Sequence, residues 1–245
     1  MLKFFERLRR MLRQDPVAEL GVSTTVLLER RIDEGRLDEA KQLARYAEIE
    51  RQPLHDLFSD WIWHLLTRIG ANYGEAEVGK VLRETQSGWM MRRVWKSFQK
   101  MTVLERVQMT AEMMRSHAFD HMAGNQTVTV VEEEDRYSVV MDPCGSGGRM
   151  RRGDPQSRLE PPYSFGVSKE PHDWSWGQKG VPYYCSHCAL NEILPIEWGG
   201  FPLWVTGYDP DASRPCAWHF YKTAEAIPEH YFTRVGRQKP TQGTY

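Results

Sequence analysis

Four cysteines stand out in the second half of the chain: Cys144, the pair in Cys185-Ser-His-Cys188, and Cys216. Thiolates are soft donors, and two of them three positions apart on a turn can share one tetrahedral ion. Zinc is the expected metal, with iron as the alternative, and a four-thiolate set would use every cysteine in the chain. Two other fates stay open: some cysteines can be small buried apolar side chains, and in an oxidising compartment they can pair. The flanking stretches Asp142-Pro-Cys-Gly-Ser-Gly-Gly148 and Tyr184-Cys-Ser-His-Cys188 read as turns. In such turns backbone amides can hydrogen-bond to sulfur and moderate its charge. A structural zinc is closed by four protein ligands, whereas a catalytic one keeps a position for water. With one cysteine outside the set, His187, His219 or His172 could replace it or act as a base, and Cys144 or Cys216 would become a candidate nucleophile.

Further groups could serve such a centre. His117 and His121, in Ser116-His-Ala-Phe-Asp-His121, are four apart and project from one face of a helix, beside Asp120. They are candidate ligands or acid–base groups, and a polar helix end is the plainer alternative. Ala118 stands where the zinc-protease motif needs a glutamate. The glycine loop after Cys144 is followed by Arg149, Arg151, Arg152 and Arg158, which could hold a carboxylate or phosphate or could simply be exposed. Five of the nine tryptophans lie between Trp174 and Trp218. They are first of all core, but Trp174 and Trp176, with Arg149 and Arg151, are candidate walls of a pocket for an aromatic or carboxylated small molecule. Glu192 and Glu197 flank Pro195 and either supply a proton or are tied to arginine.

Composition bounds the rest. At 245 residues, 40% hydrophobic and 27% charged, the chain belongs with globular proteins, and a net charge of −1 gives no general attraction to nucleic acid. No run approaches a membrane span. The first 13 residues break their apolar residues with charge and so lack the core of a signal peptide. Their spacing, Leu2, Phe5, Leu8 and Leu12 against Arg7, Arg9, Arg10 and Arg13, predicts a short basic amphipathic helix that docks on its own domain or lies on an anionic membrane surface. A reducing cytoplasm is the expected compartment, where cysteines ligate metal more readily than they pair.

These groups need elements to position them. Residues 1–123 read as helical: Leu20–Ile32, Leu37–Ile49, a third helix opened by Pro53 at its first turn, a fourth from Glu75 to Lys100 bent near Ser87-Gly88, and a fifth from Thr102 to Met122. In the third, Leu57, Phe58, Trp61, Ile62, Leu65, Leu66 and Ile69 form the most apolar stripe and are expected in the core. Thr102-Val-Leu-Glu105 has the form of a capping box. Residues 124–235 open with a hairpin, Thr127–Val131 and Tyr137–Met141, and continue with little periodicity. A metal would hold such loops together. Residues 236–245 read as a frayed tail. The expected fold class is α+β, a helical bundle followed by a loop-rich domain with a cysteine-bound metal.

Two resemblances follow from the motifs. Val139-Val-Met-Asp-Pro-Cys-Gly-Ser-Gly-Gly148 looks like the first motif of S-adenosylmethionine-dependent methyltransferases, which requires a following helix and a second parallel strand. The late Cys-x-x-Cys, followed by Cys216-Ala-Trp-His-Phe-Tyr221 behind a helical half, resembles the L-2-amino-thiazoline-4-carboxylic acid hydrolase family and related cysteine-rich small-molecule-binding domains. That resemblance implies a small-molecule pocket beside a cysteine-bound metal, and a hydrolase if the metal site is open. The functional expectation is a metal-containing hydrolase or lyase using His117, His121 or His187. The alternatives are a noncatalytic binding or assembly module with a structural four-cysteine zinc, and a methyltransferase.

Overall fold

In the computed structural model the described residues are 2–8, 10–116, 128–152 and 165–241. Helix and sheet are mixed, as an α+β chain requires. The N-terminus is not the expected amphipathic helix. Strands β1 (Leu2–Phe5) and β2 (Arg10–Arg13) form an antiparallel hairpin with Leu2 opposite Arg13. Arg13 explains the difference, because its guanidinium donates to Asp15 (2.7 Å) and to the Thr24 hydroxyl (2.8 Å), which itself donates to Glu50. Arg13 is thus taken out of the basic face expected of this segment. No helix among the described residues is long and apolar enough to cross one.

Helix α1 (Thr24–Asp33) starts at Ser23, whose hydroxyl accepts from the Thr25 amide. Helix α2 (Leu37–Tyr73) runs for 37 residues, roughly 55 Å at 1.5 Å per residue. Pro53 lies inside it and does not open a new helix. One interior proline costs about 3 kcal/mol. Burial on both sides of the break offsets that cost, by Ala40, Leu43 and Tyr46 before it and by Gln52, Asp56, Ser59, Trp63 and Leu66 after it. That face is not the expected one: Leu57, Phe58, Trp61, Ile62 and Leu65 are exposed, and only Leu66 of the expected stripe is fully buried.

Helix α3 (Glu75–Thr85) continues through a π turn (Gln86–Met90) into α4 (Met91–Phe98), so the bend expected at Ser87-Gly88 is a local unwinding. Helix α5 (Val103–Arg115) carries the expected capping box, with Thr102 and Glu105 bonded both ways. Its expected extension to Met122 lies outside the described residues.

Strands β3 (Val128–Glu132) and β4 (Arg136–Met141) form the expected hairpin, and a six-residue helix α6 (Gly147–Arg152) follows the glycine loop. Beyond it, regular structure is richer than the sequence pattern suggests. Helix α7 (Ser186–Gly199), strands β5 (Val205–Gly207) and β6 (Cys216–Tyr221) and a short α8 (His230–Thr233) complete the chain. Helix α7 hides from periodicity because it is buried on all sides from Ala189 to Ile196, leaving no polar face to alternate with. The sheet order is β3-β4-β6-β5, antiparallel throughout.

One core joins the two halves. Trp63, Leu66, Val78, Phe98 and Met114 from the helices cluster with Val139, Ile193, Trp204, Phe220 and Phe232. Gly79 lets Trp174 lie directly on α3, where any β-carbon would collide with the indole. Residues 236–241 are not a frayed tail: Arg237 bonds to Asp173 and Glu197, and Lys239 donates to the carbonyls of Glu225 and Ile227 at 2.7 Å each. Residues 242–245 lie outside the described set.

Glu75, at the start of α3, clamps the segment before α7. Burial alone would raise its pKa. Hydrogen bonds from His172, the Lys169 amide, the Tyr183 hydroxyl and the Glu170 amide outweigh it and hold the carboxyl at about 2. A pKa lowered by folding contributes stability above the ordinary value of 4.5, and that contribution is lost as pH falls from there towards 2. Glu75→Gln is therefore expected to lower stability by roughly 2 kcal/mol at neutral pH, the scale of hydrogen bonds to a charged group. Urea melts of both proteins between pH 7 and pH 2 should show the gap closing below pH 4.5.

Candidate functional site

The register of the sheet gathers the cysteines. Met141, the last residue of β4, pairs with Cys216, the first of β6, so the loop carrying Cys144 leaves the sheet beside Cys216. Helix α7 begins next to it with Cys185 and Cys188. All four cysteines line one cavity of about 80 Å³, walled otherwise by Met114, Met141, Trp176, Tyr208 and Trp218. Gly147 permits the closure, since a β-carbon there would stand 2.5 Å from the Cys185 sulfur. Burial pushes the Cys185 and Cys188 thiols well up, and Cys216 to about 12, with repulsion from neighbouring cysteines adding to it.

The expected tetrahedral ligand set is not formed. Among the described residues no three His, Cys, Asp or Glu side chains are placed to hold one ion. The cysteines form no disulfide and pack around the cavity like small apolar groups. The donor types and their number suit zinc or iron.

His187 lies at the same place. Its Nδ1–H donates to the Tyr184 carbonyl (2.5 Å), which fixes the tautomer and leaves Nε2 to accept from the Cys188 thiol (3.3 Å). Burial lowers its pKa. His187 and Tyr184 also line a second, largely apolar pocket of about 280 Å³ with Ile62, Leu66, Leu82, Thr85 and Gln86. These two side chains thus form a wall shared by both spaces.

A polar network from α2, with no spacing signal in the sequence, closes the other side. Asp56 accepts from Nδ1 of His55 (3.0 Å), so Nε2 is the basic nitrogen and accepts from the hydroxyl of Ser146 (3.2 Å). The Tyr184 hydroxyl shares hydrogen bonds with Ser146 and Ser59. Ser146 sits on the cavity wall, so a serine–histidine–aspartate relay ends at the thiols. Arg149 binds Asp56 (3.2 Å), Asp60 (2.7 Å) and the Gly145 carbonyl (3.1 Å). The glycine loop was legible as unusual; its partners His55 and Asp56 were not.

Several expected substrate contacts are corrected. Arg149 is buried in that ionic network. Arg151 donates to the carbonyls of Asp209 and Pro210 and lies 5.0 Å over the Tyr208 ring. Arg152 binds Asp142 and two carbonyls. These cations hold the chain itself because the loop between β5 and β6 brings unpaired carbonyls to them. Trp174 stacks on His172 and packs on α3, away from the cavity. Trp176 does line the cavity, in a left-handed conformation (φ 52°), with its indole N–H on the fully buried Glu192. Glu192 is paired with Arg234 and Glu197 with Arg83 and Arg237, so both follow the arginine-tied alternative. His172 bonds to Glu75 and His219 to Ser138. His117, His121 and Arg158 lie outside the described residues. Among the described residues the sheet is antiparallel and holds no parallel strand for the methyltransferase motif.

Removing the cation should expose the network's importance. Arg149→Met leaves the buried Asp56 and the half-buried Asp60 with less counter-charge, and a loss of about 3–5 kcal/mol is expected. Denaturant unfolding measures it; a loss under about 1 kcal/mol would mean that the network is solvated. The chain matches no family model, no curated protein and no solved structure.

Proposed function

We propose that the chain is a metalloenzyme that acts on a small molecule at the thiol cavity, by hydrolysis or elimination. The supporting observation is convergence: all four cysteines, drawn from three separate segments, and Ser146 of the His55–Asp56 relay line the same cavity. In this reading three of Cys144, Cys185, Cys188 and Cys216 would hold zinc or iron and the fourth would leave a coordination position open, where the metal would supply Lewis-acid polarisation of a substrate group. The protein's own part is proton handling. His55 Nε2, oriented by the Asp56 hydrogen bond to Nδ1, takes a proton through Ser146 and returns it to a leaving group. The Thr206 hydroxyl, on the cavity wall and buried, has no hydrogen-bond partner among the described residues, which supports a polar guest. The likeness to the thiazoline-carboxylate hydrolases points the same way.

A second reading rests on the cysteines alone. Because all four line the cavity, a metal could be closed by sulfur and serve as a staple for the sheet, α6 and α7. Elemental analysis with a thiol count under denaturing conditions tests both. One zinc or iron per chain is expected, and Cys185→Ser should lose it and melt at least about 5 °C lower, the scale of a ~2 kcal/mol loss. Metal-free protein with four free thiols would sink the proposal. Cobalt substitution then separates the readings: visible bands that shift on adding azide mark an open site, and bands indifferent to it mark a closed one.

A further inference from the structure

Helix α2 has two faces, and only one has a partner within the described chain. Gln52, Asp56, Ser59, Trp63 and Leu66 are buried against the rest of the molecule. Opposite them, Leu54, Leu57, Phe58, Trp61, Ile62 and Leu65 are between 45% and 62% exposed. These six follow the i, i+3, i+4, i+7 spacing of a packing seam, over roughly 17 Å of helix. At 150–250 Å² for the aromatics and somewhat less for the aliphatics, their exposed parts amount to roughly 600 Å². A single contiguous patch of that size lies at the upper end for a monomer surface and marks an interaction site.

We propose that this seam pairs antiparallel with α2 of a second copy of the chain. The area is the reason for choosing a copy, since two of these faces together reach what a stable dimer needs, and the spacing allows the match. Read from either end, the intervals between positions 54, 57, 58, 61, 62 and 65 are the same. A two-fold axis at the level of Ser59 and Asp60 therefore sets Leu54 against Leu65, Leu57 against Ile62, and Phe58 against Trp61 of the other copy. Such an interface is self-complementary, as two-fold symmetry demands. No charged side chain belongs to the seam; Arg51 and Arg68 lie one turn beyond either end, where solvent begins. Phe58 and Trp61 already lean together, with ring centroids 6.3 Å apart, as a ready platform at the centre. Two such faces bury roughly 1,200 Å² before any rim contact, the lower bound of specific protein–protein interfaces. Ile62 also lines the outer apolar pocket, so the second copy would lie along its edge.

Light scattering on size-fractionated protein tests the pairing and its register. The wild-type chain should elute at twice its 28.6 kDa mass at micromolar concentration. Leu57→Glu and Ile62→Lys each place a charge against an apolar side chain, so each should weaken self-association at least 100-fold and elute as a monomer. Both positions are exposed, and unchanged circular dichroism and melting would show that both variants fold. Mixed together, they should recover the dimer, because the glutamate at 57 of one copy meets the lysine at 62 of the other. A monomeric wild-type chain overturns the proposal, as would occur if a foreign partner normally covers the seam. A Leu57→Glu protein that remains dimeric overturns it equally, and failure of the mixture to dimerise overturns the antiparallel register.

Discussion

The buried ionic tie between α2 and the glycine loop is the constraint on which the rest depends. Arg149 reaches back from α6 to Asp56 and Asp60, and the same loop offers Ser146 to His55. These contacts join segments about ninety positions apart and fix the loop that carries Cys144. The other ties, from Arg151 and Arg152 to the loop between β5 and β6, hold the far end of α6 and not the turn that carries Ser146. Buried charges of this kind add little net stability over an apolar packing, but removing one partner is costly. Their effect is to specify where the loop goes.

From that anchor the cavity follows. β4 and β6 bring Cys216 level with the start of the loop, and α7, buried almost completely, brings Cys185 and Cys188 from the other side. Helix α7 is itself held by a charged pair, Glu192 with Arg234, which also receives the Trp176 indole and the Thr206 amide. Two buried ionic contacts therefore flank the thiols, one on each side. Between them the wall is apolar and aromatic, an environment in which neutral thiols are favoured and in which a cation would instead favour thiolates.

Helix α2 links this site to the outside. Its polar face is turned inward to meet the loop, so its apolar face is left for another surface. Ordinary amphipathic logic is inverted along residues 54–65, and the inversion has a physical cause: the buried polar side chains have partners, and a paired polar group can be buried at little cost. Violations of local pattern concentrate where a protein does something beyond folding.

The sequence by itself determined the elements whose signals are local. The capping box at Thr102, the hairpin ending at Met141, the bend at Ser87-Gly88 and the helical character of residues 24–115 are all written in neighbouring residues. The cysteines and the glycine loop also announced themselves by type and spacing. What only the tertiary structure decided were matters of direction and long-range partnership. Periodicity placed the apolar stripe of α2 inside, because it cannot know that Asp56 and Asp60 would meet an arginine from α6. It missed α7, because a helix buried on every side has no alternation to read. It made a helix of residues 1–13, because Arg13 finds Asp15 and Thr24 only once the chain has turned. His55 and Asp56 joined the site for the same reason: a relay to Ser146 is a fact about distance in space, and sequence spacing carries no record of it.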